Sequence, residues 1–311
     1  MDKPLTITSS PHLHCGDSTR TVMLDVIIAM IPAAAMSVWL FGWRALVVEL
    51  VCVAACVASE YLSCLIMKRP SSVGDLSCMV TGLLLAFNLP VTIPLWQAAL
   101  GGVVAIVVAK QLFGGIGQNF VNPALLGRIV LMGSFAESMN AWVTPRMVDT
   151  VSSATPLAAL SQGDTGAYSV WQLFFGLHGG CLGETCVAAL LLGGLYLVVR
   201  RVITPTVPLV FIGTVFVLSW ILGEDPLRQI LSGGLMLGAV FMATDYTTSP
   251  VTGLGKVVFA VGCGLLTVLI RLYGSLPEGV SFAILLMNIL TPLIERVTRP
   301  VPFGMKRRWR K

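Results

Sequence analysis

Charge is what this sequence has least of. Asp, Glu, Lys and Arg make up 11% of its 311 residues, where a soluble domain carries about 25%. That scarcity excludes an ordinary water-soluble domain. Histidine is nearly missing as well, with only His12, His14 and His178. A single histidine near a serine is not a nucleophilic triad. His12, His14 and Cys15 form a weak metal pattern with no fourth ligand nearby. The eight cysteines never form a CxxC pair and mostly lie in apolar runs, so they read as small buried hydrophobes rather than metal or iron–sulfur ligands. No nicotinamide-binding glycine motif is present either. The first twenty residues lack an apolar core, so a cleavable leader is not expected and the first apolar run should insert and stay.

What is present is apolar. Hydrophobic residues make up 56% of the chain, and the mean hydropathy is +0.86. The class is an integral membrane protein. Its 31 glycines suit close helix packing and broken helices in lipid. The net charge of +5 carries no nucleic-acid signal, because the basic residues follow topology.

A crossing helix needs about 20 mainly apolar residues, fewer if it is broken inside protein. Ten stretches qualify, near 22–41, 45–67, 76–89, 93–112, 120–135, 183–200, 204–222, 229–244, 255–273 and 279–295. The third and eighth are short and end at "NLPVTIP" and "TDYTTSP", which predicts discontinuous helices. With a cytoplasmic N-terminus, 15 Lys and Arg fall in inside segments and four, Arg44, Arg146, Arg228 and Arg271, fall outside. The positive-inside rule therefore predicts both termini inside, with "KRRWRK" as a topology anchor on anionic lipid. The outside loops are acidic by contrast. The expected division is a cytoplasmic segment 1–20, a first five-helix repeat 21–135, an outer loop 136–182, a second repeat 183–295 and a basic tail 296–311.

The two repeats rest on a shift of 160 residues. "FGGIGQNFVNPALLGRI" from Phe113 then falls on "YGSLPEGVSFAILLMNI" from Tyr273, Pro90 on Pro250 and Gly102 on Gly262. Five spans per half would invert the halves relative to each other. Inverted repeats with broken helices place ligand sites at the repeat interface. The expected fold class is thus all-α and polytopic, with about ten transmembrane helices in two inverted five-helix repeats.

Several polar residues stand out. Ser152-Ser153-Ala154-Thr155-Pro156 reads, on composition alone, as a Ser/Thr turn or as a helix cap before "PLAALSQG". Asn119 and Asn122 share a helical face, and Asn122 suits the capping of a helix that starts at Pro123. Asp245, in "MATDYTTSP", is an acid at the end of a span, a functional hypothesis by default; it reads as a hydrogen-bond partner of a ligand, as a Na+ or proton site with Thr244 and Thr247, or as a helix-end carboxylate in water. Asp25 and Glu295 read as helix-end acids that snorkel or pair with Arg20 and Arg296. Glu49 and Glu60 are candidates for an ion path. Arg128, inside a span, requires a partner or an anionic ligand.

Asp149-Thr150-Val151-Ser152-Ser153-Ala154-Thr155 resembles the Asp-x-x-Ser/Thr-x-Ala-Thr acceptor motif of covalent flavinylation. Further likeness lies in "SSPHLH", the ten spans, "FGGIGQNFVNPA" and "FMATDYTTSP". With these, essentially the whole chain is similar to one family of membrane flavoproteins. That family comprises the D subunit of the Rnf electron-transport complex and its counterpart, the B subunit of the sodium-translocating NADH:quinone reductase. The length and short N-terminus favour the Rnf member. The resemblance implies FMN joined through its phosphate to Thr155 by a flavin transferase, with Asp149 serving transferase recognition, Ser152 and Ser153 keeping the turn small and accessible, and Ala154 completing the motif. It also implies noncovalent riboflavin within the protein, for which the Asn119 and Asn122 amides suit the ring's carbonyls and N3–H.

The expected function is therefore that of a membrane redox subunit in the cytoplasmic (inner) membrane of a prokaryote. It belongs in an ion-translocating ferredoxin:NAD oxidoreductase and is catalytically incomplete alone. Electrons would pass to or from an extracytoplasmic flavin subunit, beside small membrane subunits, coupled to Na+ or H+. A rival from another class, a small-solute channel built on inverted repeats, predicts no flavin. A structural anchor leaves Thr155 unexplained.

Overall fold

In a computed structural model of the chain, the described residues are 18–145, 155–161, 168–274 and 278–300. Their regular structure is helical. Four helices are long and apolar enough to cross a membrane: α1 (Thr19–Phe41), α2 (Trp43–Ile66), α13 (Gly253–Tyr273) and α14 (Val280–Thr298). Shorter apolar helices lie between them: α3 (Ser77–Phe87), α4 (Leu95–Ile106), α5 (Pro123–Ser134), α9 (Val187–Val199) and α10 (Thr206–Ile221). Three brief helices, α6 (Ala136–Met139), α7 (Pro156–Ser161) and α8 (Val170–Phe175), fall in the long middle connection. The stretch expected as one short eighth span is broken. It forms α11 (Pro226–Leu231), an irregular corner at Ser232–Gly234, and α12 (Leu235–Leu237), which runs into a π-turn at Gly238–Met242. A second π-turn, Val107–Gln111, extends α4.

Apolar periodicity is weak in these helices because most present apolar residues to lipid as well as to protein. Leu50, Leu62, Leu192, Leu209 and Leu293 are exposed, as a lipid-facing surface requires. Exposed Trp39, Trp43, Trp96, Trp171 and Trp220 sit at helix ends. Helix order places all five at the end of the molecule opposite Arg20, Lys68, Arg69 and Arg200. Tryptophan gathers in this way at a bilayer interface. The molecule thus has a basic end and a tryptophan end.

Between apolar helices in lipid, close backbone approach takes the place of the hydrophobic effect as the main driving force. α1 packs on α9 at Gly193, where an added Cβ would lie 2.1 Å from the Ala29 carbonyl oxygen. α2 packs on α3 at Gly82, where a Cβ would lie 2.7 Å from Val53 Cα. α4 packs on α5 at Gly127, and α10 on α13 at Gly264. Bundles of this kind leave little room for a methyl group at their crossings.

Broken helices need partners for their free backbone groups. The carbonyls of Phe87 and Leu89 at the end of α3 accept from Gly183 N and Leu182 N, each at 3.0 Å. This docking requires glycine at 183, since a Cβ there would strike the Phe87 ring. At the other break, Arg271 donates to the Gln229 carbonyl at 2.6 Å and the Ser232 carbonyl at 3.0 Å.

Gly193→Ala should lower the thermal stability of the detergent-solubilised protein by about 1–3 kcal/mol through overpacking. Gly213→Ala, at a helical position with nothing within 4 Å of the new methyl group, should be neutral or stabilising by up to about 1 kcal/mol. Recovery of monodisperse protein after graded heating would separate the two.

Candidate functional site

A cavity of about 490 Å3 opens at the basic end. Its walls come from the start of α1 (Ser18, Thr19), from α3 (Ser77, Thr81), from both π-turns (Lys110, Phe241), from the glycine-rich segment before α5 and from residues 244–247. π-turns shift the backbone register and recur at functional sites; here they deliver Lys110 and Phe241 to one space. Gly117 lies on the wall with φ +87°, a conformation that strains residues with a Cβ.

Five of the residues singled out from sequence meet in this cavity: Asn119, Asn122, Thr244, Asp245 and Thr247. Asn122 accepts from Ala124 N at 3.0 Å and so caps α5, with Pro123 at the first helical position. The capping reading of Asn122 is therefore seen, and the residue lines the cavity as well. Asn119 Nδ2 lies 3.3 Å from Thr247 Oγ1, while its Oδ1 is buried with no hydrogen-bond partner. An orphaned buried acceptor calls for a donor that the described residues do not supply. Thr244 turns away, donating to the Val240 carbonyl at 2.6 Å. Asp245 receives the hydroxyls of Thr247 and Thr248, each at 3.2 Å. Those threonines satisfy the carboxylate within its own turn.

Lys110 was not singled out from sequence as a site residue. It is buried, donates to both Glu60 oxygens at 2.8 and 2.7 Å and to Ser77 Oγ at 2.6 Å, and lines the cavity. The sequence signal for Lys110 was no more than a basic residue in a span-like run. Glu60, one of the expected ion-path acids, is thus neutralised by a lysine one helix away. Glu49, the other expected ion-path acid, is buried and accepts from Ser37 at 2.5 Å. Asp25 does not pair with Arg20. It accepts from Tyr196 at 2.9 Å and Arg200 at 3.1 Å, because α1 packs on α9 and brings their basic-end residues together. Glu295 accepts from Val251 N at 3.0 Å instead of pairing with Arg296.

Toward the tryptophan end, Arg128 finds its partners in Glu278, with which it forms an ion pair, and in Asn88 Oδ1 at 2.5 Å. Glu184 lies 4.0 Å from the same guanidinium. Thr155 immediately precedes α7, and its Oγ1 accepts from Ala158 N at 3.2 Å. The helix-cap reading of this residue is seen. The accessibility expected of it is not, since Thr155 is buried and Leu157 behind it packs on Gly233. Asp149, Ser152, Ser153 and Ala154, like His12, His14 and Cys15, lie outside the described residues. The seven cysteines within them are all free and buried.

The donor sets fit flavins on two grounds. A cavity of this size is ordinary for a cofactor site, and the unpartnered Asn119 Oδ1 matches an imide N–H. At Thr155 the oxygen accepts from Ala158 N, and esterification would replace the hydroxyl hydrogen without removing that role.

A family model described as the NQR2, RnfD, RnfE family matches residues 6–304. The chain is 48% identical to the D subunit of the Na(+)-translocating ferredoxin:NAD(+) oxidoreductase complex of Acetobacterium woodii, covering 97% of this chain and 96% of that one. It is 43% identical to the D subunit of the proton-translocating ferredoxin:NAD(+) oxidoreductase complex of Clostridium ljungdahlii, over 97% of each. The D subunit of an ion-translocating oxidoreductase complex of Stutzerimonas stutzeri is 38% identical over 94% of each.

Removing one partner of the Lys110–Glu60 pair leaves a buried charge alone, which costs about 3–5 kcal/mol. Lys110→Met or Glu60→Gln singly should therefore destabilise by that order, and the double variant should recover most of the loss. A double-mutant cycle on thermal stability checks it; additive losses would mean that the two side chains do not interact.

Proposed function

We propose that this chain, which belongs to the NQR2, RnfD, RnfE family, is an electron-transfer subunit of an ion-translocating ferredoxin:NAD oxidoreductase complex. Its extensive likeness to the D subunits of three organisms, at 38–48% identity, supports that assignment. It is a multi-pass membrane protein and a redox component of a larger enzyme, incomplete without the other subunits of the Rnf complex.

The cofactor reading goes further. FMN is held as a phosphoester on Thr155, and riboflavin occupies the cavity at the basic end. The single observation that carries the second flavin is the buried, unpartnered Asn119 Oδ1 in that cavity. Bound flavin supplies the one- and two-electron chemistry. The chain's residues position and tune it. Asn119 accepts from the ring imide, Asn122 offers its amide, and Asp245 stays within its threonine turn, where it sets the local charge. Lys110, locked by Glu60 and Ser77, contributes a cation whose charge is balanced until a ligand's charge changes beside it. The burial of Thr155 implies that the flavin transferase acts on the 149–155 segment before α7 packs, or when it lifts.

The basic end is cytoplasmic in this reading, with both termini there and Thr155 outside, facing an extracytoplasmic flavin subunit. Ten crossings in two inverted repeats, 21–135 and 183–295, fit the helix positions. Moved by 160 residues, α1, α2, α4 and α5 overlap α9, α10, α13 and α14. Na+ or H+ movement is coupled to electron flow. Relatives named for each ion match at similar identity, so the choice of ion rests on a few residues in a shared frame.

Expressed with a flavin transferase, the chain should give a fluorescent band on a denaturing gel, lost in Thr155→Ala. Flavin released from the native protein by acid should fall in Asn119→Leu while the covalent band persists. A dark band beside a labelled control acceptor would remove FMN from Thr155, and undiminished release from Asn119→Leu would remove riboflavin from the cavity.

A further inference from the structure

The flavin readings leave one buried group of charges unused. Glu184, in the connection before α9, and Glu278, in the connection before α14, face each other across Arg128 of α5. Their carboxylate oxygens and Cys181 Sγ lie within 4.8 Å of one another, all buried. Arg271 of α13 and His178 complete the titratable and charged groups around them. This spacing superficially suits a metal ion. The Arg128 guanidinium, however, is bonded to Glu278 and reaches Cys181 Sγ at 3.6 Å. It already holds the place a cation would take, and it would repel one.

Two features instead point to a proton. Glu184 Oε2 is buried with no hydrogen-bond partner among the described residues, although the Arg128 guanidinium is near. Arg271, the second cation, directs Nη1 and Nη2 to the Gln229 and Ser232 carbonyls and forms no ion pair with either carboxylate among the described residues. One guanidinium thus serves two carboxylates. Two buried carboxylates this close do not both ionise easily. We propose that Glu184 and Glu278 form a proton-binding pair that takes up one proton when negative charge arrives on the group carried at Thr155.

The link to Thr155 runs through the Gly233–Gly234 corner. A Cβ on Gly233 would lie 2.4 Å from Leu157, two residues beyond Thr155, and 3.3 Å from Arg271 Nη2. A Cβ on Gly234 would lie 2.8 Å from Glu184 Oε2. The segment that bears Thr155 therefore lies against Gly233, and Glu184 lies against the next residue, Gly234. Charge added at Thr155 acts on the pair across low-dielectric protein with little screening. The step itself is simple. A proton from water adds to one carboxylate oxygen and gives a carboxylic acid, and no electron enters the pair. Burial, together with Glu184's charge and against those of Arg128 and Arg271, pushes the Glu278 pKa up to about 7. Exchange then falls in the neutral range. The coupling to Thr155 rests on the flavin reading of that residue; the protonation of the pair does not.

Infrared difference spectra of the purified complex, titrated across neutral pH, test the pair directly. A carboxylic-acid carbonyl band should grow as pH falls through neutrality and vanish in Glu278→Gln. In the milder Glu184→Gln the band should move to lower pH, because loss of that neighbouring charge makes Glu278 easier to ionise. The band should persist in Thr155→Ala. A parent without the band, or variants that leave it unchanged, would overturn the pair. Redox titration of the covalent flavin tests the coupling: its midpoint potential should vary with pH near neutrality in the parent and less so in both glutamine variants. Identical pH dependence in all three would overturn the coupling. Absence of covalent flavin with the band intact would instead sink the flavin reading and leave the pair standing.

Discussion

Every polar backbone group in a membrane-embedded chain must find its partner inside the protein, and this structure is organised around that demand. Its helices break at α3 and between α11 and α12, and each break exposes carbonyls that water cannot reach. The repairs come from far along the sequence. Backbone amides of Leu182 and Gly183 close the end of α3; the Arg271 guanidinium closes the corner after α11. Arg128 meets the first break through Asn88. The breaks thus draw charged side chains into the apolar interior, and those charges bring carboxylates after them.

The same logic separates the two ends. At the basic end, Lys110 is matched by Glu60 with two short hydrogen bonds and a serine, a closed set beside an open cavity. Toward the tryptophan end, two arginines and two glutamates are distributed less evenly. Atoms of Arg128, Arg271 and Glu184 there remain without hydrogen bonds. Fully satisfied buried networks rigidify a core, whereas partly satisfied ones remain responsive to added charge. The chain carries one of each.

Much of this was legible in the residues. Length of apolar run located the helices, and the short third and eighth runs marked which stretches are broken. The Asn119, Asn122, Thr244 and Asp245 set converges on one cavity because the fold brings the start of α5 against the end of the broken eighth stretch. Pairings across the bundle were not legible. Asp25 meets Arg200 rather than its near neighbour Arg20, because helix packing, not sequence distance, brings charges together. Lys110 and Glu60 are 50 residues apart, Arg128 and Glu278 150, and no local pattern encodes such distances. The corner at Ser232–Gly234 escaped notice for a related reason: its glycines are required by Leu157 and Glu184, residues outside its own helix.

The wide separation of Arg128 and Glu278 also bears on how the chain is made. Lys110 meets its carboxylate among residues already synthesised, so the first half can close that pair as it inserts. Arg128 cannot, because Glu184 comes only with the second half and Glu278, which it contacts directly, follows 150 residues later. At about 5–20 residues per second, the arginine waits on the order of ten seconds in an apolar helix with its ion-pair partner not yet made. During that interval α5 is the least settled member of the first half. The connection before α14 then completes the set, since it delivers the carboxylate that Arg128 contacts directly.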